Sequence, residues 1–273
     1  MKPRLRFTDR SRILGATFLL AAATTLSAGA GSDAPGSGAE FGAGEPIFEH
    51  RFEFGTICGW SSSVGLAPPS SAVDPLLVSG SVLNVISGLP ITGATIEARR
   101  RSDDGLLDSD TTGDDGTFGL SLVTGGVPLD AYFALSAASY PATFIYPADP
   151  LVDDIENLGA RAIATGELSL VYALSLVVQT PGLGTNAVLV LDCANEPVSA
   201  ATVSFDPAAG ATLYFSGDLP SPGASSTSDN GIGLGLNAPV GETTASAAKA
   251  GFVFLSHSFE SHPDGVSFTF IHP

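Results

Sequence analysis

The sequence has little charge, and positive charge is the scarcest. Lys and Arg together number 11 and Asp and Glu 28 among 273 residues, which gives a formal net charge of −17 and a pI near 4.3. Proteins that bind nucleic acid neutralise phosphates with clustered Lys and Arg. This charge balance therefore argues against a nucleic-acid partner.

Two other features of the composition limit the fold class. Gly and Pro number 32 and 19, which is too many helix breakers for a helical bundle, and glycine lacks the strict period of collagen. Hydrophobic residues make up 44% of the chain, too large a share for disorder throughout. An all-β protein with many turns is the class that remains.

Cysteine is almost absent. Cys58 and Cys193 are the only two, so one disulfide bond is the maximum and the fold must be held by its hydrophobic core. A Cys58–Cys193 bond would tie the N-terminal region to the second half of the chain. A closed loop of more than roughly 100 residues would give about 4 kcal/mol in the chain-entropy model. Two unpaired thiols and an intermolecular bond are the alternatives.

The chain has no apolar run of the roughly 20 residues that a transmembrane helix needs. Its N-terminal apolar run covers 14 residues at 13–26, between five basic residues and Ala28-Gly29-Ala30. These three parts predict a secretory signal peptide over residues 1–30, with no transmembrane span after cleavage. Removing it would leave 6 Lys and Arg against 27 Asp and Glu, a net charge near −21. Such a surface repels anionic membranes and attracts cations or basic partners.

Residues 31–75 are rich in Gly, Ala, Ser and Pro and predict a linker. Within it, IFEHRFEFGTICGWSSS at 47–63 is aromatic, and we expect an arm that docks on a domain, with an exposed recognition strip as the alternative. This arm resembles the FESG-x-x-CxW-like segment that follows the leader of many exported Gram-negative proteins, through FEFG at 52–55 and CGW at 58–60. The resemblance implies export to the periplasm, cell surface or exterior of a Gram-negative bacterium.

From residue 76 onward, short Val-, Ile-, Leu- and Thr-rich runs alternate with turn residues, which predicts strands. Three blocks occur twice in the same order, at offsets of 107, 115 and 110 residues. They are SGLPITGATI with ANEPVSAATV, TGDDGTFGLSL with TSDNGIGLGLN, and LSAASYPATF with ASAAKAGFVF. The repeats predict two tandem β-sandwiches at 76–150 and 185–273, each of a size that suits seven strands.

The segment 151–184 does not share this alternation and is interpreted as a connection between the two domains. Its apolar part, GELSLVYALSLVV at 166–178, favours a short helix with Thr165 as N-cap and a stop at Pro181-Gly182. A buried strand that closes the first domain is the alternative, because no strict period decides between the two.

The repeated blocks resemble carboxypeptidase regulatory-like domains, which are prealbumin- or transthyretin-like β-sandwiches found in tandem on exported bacterial proteins. The residues of the first unit that carry the resemblance are Gly80, Val82, Gly88, Pro90, Gly93-Ala94-Thr95-Ile96, Thr112, Asp115-Gly116 and Phe118. Those of the second unit are Pro197, Ala200-Ala201-Thr202-Val203, Thr227, Asn230-Gly231 and Gly251-Phe252. Two positions depart from the pattern, because Ala200 replaces a glycine and Ile232-Gly233 replaces T-x-F.

The resemblance implies a fold of two tandem Ig-like or prealbumin-like sandwiches and a non-catalytic module. Domains of this kind sit beside enzymes, adhesins and transporters, and the fold is similar to that of starch-binding and other carbohydrate-binding sandwiches. The matching motifs specify turns and not chemistry.

An acidic cluster in the first unit is the one candidate metal site. Several loop carboxylates can bind Ca²⁺, but the spacing does not fit an EF-hand, and a solvated hairpin loop is the favoured interpretation. The calcium candidates are Asp108, Asp110, Asp114 and Asp115, next to Asp103 and Asp104. We interpret Arg99-Arg100-Arg101 as neutralising these carboxylates, with a weak anion site as the alternative.

The search for catalytic residues yields none. His257 and His262 would point to opposite faces of a strand, and we expect both at the surface or at a strand edge. GWSSSVG at 59–65 lacks the glycine spacing of a nucleophile elbow. No cofactor is predicted.

We therefore expect a non-enzymatic, exported structural or binding module whose partner is an unidentified protein or polysaccharide. The alternative is a carbohydrate-binding module that uses exposed aromatic residues, although most of the candidate rings are expected in the core. The candidates are Tyr132, Tyr140, Phe144, Tyr146 and Tyr214. A third class is a hydrolase with a convergent Ser, His and Asp set that includes His257 or His262.

Overall fold

The computed structural model describes residues 69–217 and 219–273, which form fifteen strands and one helix. The predicted signal peptide, most of the predicted linker and Cys58 lie outside these residues. The strands of the first repeat are β1 (Leu76–Asn84), β2 (Thr95–Arg100), β3 (Leu106–Thr111), β4 (Thr117–Leu122), β5 (Ala131–Ser136), β6 (Thr143–Tyr146) and β7 (Ile155–Ala162). The helix α1 (Thr165–Leu174) follows. The second repeat contains β8 (Gly184–Val190), β9 (Thr202–Asp206), β10 (Ala211–Ser216), β11 (Leu219–Ser221), β12 (Ile232–Ala238), β13 (Gly241–Ala248), β14 (His257–Ser261) and β15 (Val266–Ile271).

The strands form three sheets, and the largest runs through both repeats. Its nine strands have the order β11-β10-β12-β8-β15-β6-β5-β2-β3. The first repeat adds the sheet β4-β1-β7, and the second adds β14-β13-β9. The prediction of an all-β fold with one short helix is thereby confirmed.

The two faces of the nine-stranded sheet serve two different hydrophobic cores. Side chains alternate between faces along a strand, so Ile145 of β6 lies in the core of the first repeat and Tyr146 in that of the second. Strand β8 alternates in the same way, with Leu189 in the first core and Val188 in the second. Every residue of β8 is buried, because both of its faces are covered.

The repeated sequence blocks build the same hydrogen-bonded turn twice. In the first repeat, the Thr112 hydroxyl donates to the Ile91 carbonyl (2.6 Å) and accepts from the Ala94 amide (2.9 Å). In the second, Thr227 makes the equivalent bonds to Val198 and Ala201 at the same two distances. The repeated blocks thus place one threonine against the same turn in each repeat, at residues 91–94 and 198–201.

The Asp115-Gly116 and Asn230-Gly231 turns have positive φ, and neither closes a hairpin, because β3 does not pair with β4 and β11 does not pair with β12. Gly116 has φ 76° and Gly231 has φ 66°. A Cβ atom on Gly116 would lie 2.7 Å from the Val82 carbonyl oxygen, and one on Gly231 would lie 2.7 Å from that of Val190. Glycine is therefore required here both for the backbone conformation and for the close approach of β1 or β8.

The departure at Ile232-Gly233 has a packing reason. Gly233 and Gly235 alternate with apolar residues along β12 and face the β14-β13-β9 sheet. A Cβ atom on Gly233 would lie 2.9 Å from the Val203 side chain, and one on Gly235 would lie 2.9 Å from Phe205. The second repeat thus uses glycine where the first has Phe118, because β9 packs closely onto β12.

The helix α1 covers the end of the nine-stranded sheet that belongs to the second repeat. Its Leu168, Val171 and Tyr172 are buried and cluster with residues of β10, β12 and β15. Its N-cap is Ala164 and not Thr165, and the Glu167 carboxylate accepts the Ala164 amide hydrogen bond (2.9 Å). The helix ends at Leu174, before the predicted stop, because Leu176 adopts a left-handed conformation with φ 58°.

Strand β7 falls within residues 151–184, which the sequence predicts as a connection. It pairs in parallel with β1 and completes the first sandwich. Its alternation is hard to recognise in the sequence because the pairing shifts register between Val78 and Gly80, next to Asn157 with φ 59°. In the described ranges, no helix has the length and apolar character needed to span a membrane.

The repeated threonine provides the first test of the fold. Replacing Thr112 or Thr227 with Val keeps the side-chain volume but leaves a buried amide and carbonyl unpaired, so we expect each change to lower the free energy of unfolding by about 1–3 kcal/mol. Thr212→Val is the control, because Thr212 is exposed on β10. Urea unfolding of the three variants measures the difference, and a control as destabilised as the other two would contradict the assigned role.

Candidate functional site at the junction of the repeats

The two repeats meet where β6 pairs in parallel with β15. Thr143 lies opposite Val266, and Tyr146 lies opposite Thr269. Strand β14 packs over this pair, because Tyr146 contacts Phe259 with ring centroids 5.9 Å apart. The pairing gathers five rings from both repeats, which we call the junction cluster: Tyr132, Phe144, Tyr146, His257 and His262.

Four rings of the junction cluster stack on one another across the repeats. The His262 ring lies on the Phe144 ring, with centroids 3.5 Å apart and planes 14° from parallel. Its Nε2 atom is 2.8 Å from the Tyr146 hydroxyl. Tyr146 in turn stacks on Tyr132 at 5.0 Å, and the Tyr132 hydroxyl donates to the Asp104 carboxylate. The two hydroxyls and His262 Nε2 therefore bond to each other or to a neighbouring carboxylate.

His257 joins the repeats on the other side of Tyr146. The Thr269 hydroxyl donates to the Tyr146 carbonyl (3.1 Å) and also contacts Nδ1 of His257. Because Thr269 has one proton, and that proton goes to the carbonyl, His257 is the donor in the second bond. This fixes the neutral His257 ring with its hydrogen on Nδ1.

Arg101 adds a third link between the repeats. Its Nη2 donates to the Ser258 carbonyl on β14 (2.6 Å), and its guanidinium carbon lies 5.7 Å from the centre of the Tyr146 ring. The neighbouring arginines bind acidic residues of the first repeat, with Arg99 bonded to Glu97 (2.9 Å) and Arg100 to Asp103 (3.0 Å). Neutralisation of carboxylates is thus the role that these contacts support for the arginine run.

Burial changes the acid–base properties of the junction cluster. Loss of water around Tyr132 and Tyr146 raises the pKa of both hydroxyls. Burial lowers the pKa of His257 to about 4, with the positive charge of Arg101 acting in the same direction. Burial also lowers the pKa of His262, although the charges of Glu260 and Asp104 oppose it. Both rings are therefore neutral at pH 7.

His272 lies near the junction cluster, and its pKa is shifted upwards, opposite to the pKa shifts of His257 and His262. Burial lowers its pKa, but the hydrogen bond that His272 Nε2 donates to the Asp149 carboxylate (3.0 Å) and the charge of that carboxylate outweigh burial, so the pKa is raised overall. The Asp149–His272 pair joins the end of the first repeat to the end of β15.

The sequence predicts His257 and His262 at the surface or at a strand edge, pointing to opposite faces. Instead both are partly buried and face the nine-stranded sheet. The reason is that His262 lies one residue beyond β14, in the turn that contains Asp264 with φ 55°. The Pro263-Asp264-Gly265 sequence after His262 is the signal that would have indicated this turn.

The aromatic candidates for carbohydrate binding lie mostly in the core. Tyr132, Tyr146 and Tyr214 are buried, and the Tyr214 hydroxyl accepts the Val203 amide hydrogen bond (2.8 Å). Tyr140 and Phe144 are half-buried. Three of the five rings therefore cannot stack on a sugar without unfolding of the sandwich.

The acidic candidates for calcium binding hold two sheet edges together. Asp108 and Asp110 lie on β3, at the edge of the nine-stranded sheet, and accept hydrogen bonds from β4, at the edge of the small sheet. Asp108 accepts from the Ser121 amide (2.7 Å), and Asp110 accepts from the Gly119 amide (2.8 Å). Backbone donors on the outer edge of β4, which pairs with β1 on its other side, are thus satisfied by side chains.

The other two calcium candidates lie in the turn that connects β3 to β4, which belong to different sheets. Asp115 accepts from the Thr117 amide (3.0 Å) and hydroxyl (2.7 Å), and these bonds lower the pKa of its carboxyl. Asp114 is exposed in the same turn. Across residues 69–217 and 219–273, no three His, Cys, Asp or Glu side chains form a group suited to a metal ion. Calcium binding stays a prediction that a calorimetric titration tests.

Cys193 is exposed in the turn after β8 and is not a free thiol. Cys58 lies outside the described residues, so the Cys58–Cys193 bond stays a prediction.

No protein-family model matches the sequence, and no curated protein matches it. Among solved structures, the chain is similar to the shaft pilin SpaA from Lactobacillus rhamnosus GG. The identity is 10% and the TM-score 0.24, over 73% of this chain and 98% of that chain. It is also similar to GBS52, the minor pilin of Streptococcus agalactiae, with 10% identity and a TM-score of 0.25 over 72% of this chain and 94% of that chain.

A third similar structure is the Bacillus anthracis TIE protein. The identity is 14% and the TM-score 0.22, over 71% of this chain, which spans about a third (33%) of the length of that protein. TM-scores this low carry no argument, so the fold of this chain rests on its own strand pairing and its function on its own residues.

The edge carboxylates give a prediction about stability. Replacing Asp108 or Asp110 with Ala removes an acceptor from an amide of β4, so we expect each change to lower the free energy of unfolding by about 1 kcal/mol. Asp114→Ala, which removes the same charge from the neighbouring turn, is the matched control. Urea unfolding compares the three, and equal effects would mean that net charge, and not the hydrogen bonds, is responsible.

The buried histidines give a prediction about pH. The pKa of His257 is lowered in the folded chain, so its contribution to stability is complete above its ordinary value of 6.5 and is lost as the pH falls towards about 4. At 1.36 kcal/mol per pKa unit, the loss is on the order of 3 kcal/mol. His262 acts in the same direction, whereas His272, with its raised pKa, favours the folded chain below pH 6.5.

The test is urea unfolding at a series of pH values between about 7 and 4. His257→Gln should flatten the loss of stability on acidification, while His272→Gln should steepen it. If both variants keep the slope of the original chain, the histidines do not control it.

Proposed function

We propose that the chain is a non-enzymatic structural or binding module of an exported bacterial protein, in which both β-repeats act as one rigid unit. The observation that carries the proposal is the nine-stranded sheet shared through the β6–β15 pair. A shared sheet does not allow the hinge motion expected of domains joined by a linker. A spacer or a scaffold for a binding surface needs this kind of rigidity.

The chemistry of the junction cluster supports a structural role. One ring nitrogen of each histidine is engaged within the protein, His262 Nε2 by the Tyr146 hydroxyl and His257 Nδ1 by the Thr269 hydroxyl. A catalytic base needs a ring nitrogen aimed at a substrate position. Here the contacts link the repeats, so the third class, a hydrolase using His257 or His262, has less support.

Export is proposed from the sequence. The basic start, apolar run and Ala28-Gly29-Ala30 have the three-part organisation of a signal peptide. The resemblance of residues 52–60 to a post-leader segment favours a Gram-negative bacterium. A signal peptide is compatible with the periplasm, the cell surface and the exterior alike.

The proposed rigidity predicts one unfolding transition for both repeats. Thr112→Val and Thr227→Val lie in different repeats, and each should lower the same single melting temperature, by about 2–4 °C per kcal/mol lost for a protein of this size. Differential scanning calorimetry measures this. Two transitions, each moved by one variant only, would contradict the proposal.

The carbohydrate-binding alternative is decided by a binding screen. The exported chain is tested against a panel of polysaccharides with and without Ca²⁺, and against generic ester substrates. No saturable binding and no turnover are expected for a spacer or a protein-binding module. Saturable glycan binding that is abolished by Phe144→Ala or Tyr140→Ala would establish the alternative.

A further inference from the structure

One end of the molecule combines the entry of the chain, Cys193 and several exposed apolar side chains. We call this end the entry end and define it by the hydrogen bonds that connect its segments one to the next. The Val73 amide donates to the Val152 carbonyl (2.9 Å), and Asp149 contacts His272 (3.0 Å). The Leu255 amide donates to the His272 carbonyl (3.0 Å).

Cys193 belongs to the same end. The Leu191 amide donates to the carbonyl of Ile271 (2.8 Å), and Ile271 precedes His272. Cys193 follows two residues later, is exposed and is not a free thiol. The only other cysteine of the sequence is Cys58, eleven residues before Pro69. Eleven residues span at most about 36 Å, so the chain that enters at Pro69 can place Cys58 at this end.

The entry end exposes large apolar side chains on both repeats. Val123 is 73% exposed and Val127 57%, beside the strand that the chain enters. On the second repeat, the loop after β13 exposes Val253 (76%) and Leu255 (49%). These side chains offer apolar area that a segment docked at this end would cover.

The N-terminal arm at residues 47–60 has the chemistry to cover this surface. Phe48, Phe52, Phe54 and Trp60 supply large apolar side chains, and Glu49 and Glu53 supply negative charge. The exposed loop offers a matching positive charge, because Lys249 lies 5.0 Å from the ring of Phe252. Lys249 is the only lysine after residue 2. The apolar side chains of the arm therefore match the exposed apolar side chains of the loop, whereas the arm carries both signs of charge, with Arg51 between Glu49 and Glu53.

We propose that the arm at residues 47–60 docks on the entry end, bonded through Cys58 to Cys193 and packed against Val253 and Leu255. The arm would then join both repeats to the N-terminal region, independently of the function proposed above. A second copy of the chain is the competing occupant. It would place Cys58 of one molecule on Cys193 of another and give a disulfide-linked oligomer.

Trp60 is the only tryptophan of the chain, so its fluorescence reports on the arm alone. In the full exported chain, we expect blue-shifted emission and acrylamide quenching several-fold weaker than in urea. Val253→Asp with Leu255→Asp should move both readouts towards the values in urea. Phe52→Ser with Phe54→Ser should do the same while leaving the described fold unchanged, which circular dichroism verifies.

The matched control is Leu176→Asp with Val178→Asp. Leu176 (87% exposed) and Val178 (84% exposed) follow α1 at the opposite end of the second repeat, so this variant should leave the fluorescence of Trp60 unchanged. Mass spectrometry of unreduced peptides should find Cys58 linked to Cys193. Analytical ultracentrifugation of the same sample should show a monomer. Three results would overturn the proposal. They are a disulfide-linked dimer, acrylamide quenching of Trp60 that is as strong in the folded chain as in urea, and a control variant that changes the Trp60 fluorescence as much as Val253→Asp with Leu255→Asp.

Discussion

The parallel pairing of β6 with β15 is the interaction on which the rest of the structure depends. These strands are far apart in sequence, yet their pairing turns two sandwiches into one body with a continuous sheet. Side chains alternate across that sheet, so each repeat contributes to the core of the other. Phe270 of β15 packs in the first core, and Tyr146 of β6 packs in the second. Neither core would be complete without the other repeat.

This shared sheet explains why polar side chains are buried at the junction. Tyr132, Tyr146 and His262 cross the boundary between repeats, where a purely apolar contact would not fix the orientation of one repeat relative to the other. Buried polar groups are costly unless they are paired, and only one arrangement pairs the Tyr146 hydroxyl with His262 and the Tyr132 hydroxyl with Asp104. The polar contacts therefore make the junction specific, and the apolar ones make it stable.

The features that the sequence predicts correctly are local. The Asp-Gly and Asn-Gly turns and the short helix depend on residues that are close in the chain, and so can be recognised without knowing the fold. The junction depends on residues 143–146 and 266–269, whose alternation is the same as that of any half-buried strand. His262 shows the limit most clearly. A shift of one residue past the end of β14 changes the face that it occupies, and strand ends are the least certain part of any sequence prediction.

The acidic side chains of the first repeat help to close the exposed edges of its sheets. A rigid body made of stacked strands has exposed edges, and unpaired backbone donors at an edge promote pairing with another chain. On β4 these donors bond to Asp108 and Asp110 of the neighbouring edge strand, so the side chains of one sheet close the edge of the other. The carboxylates that suggest a metal site in the sequence thus satisfy the backbone and add charge that opposes association. This protection matters because the backbone pairing that joins β6 to β15 would equally join an open edge strand to a second chain.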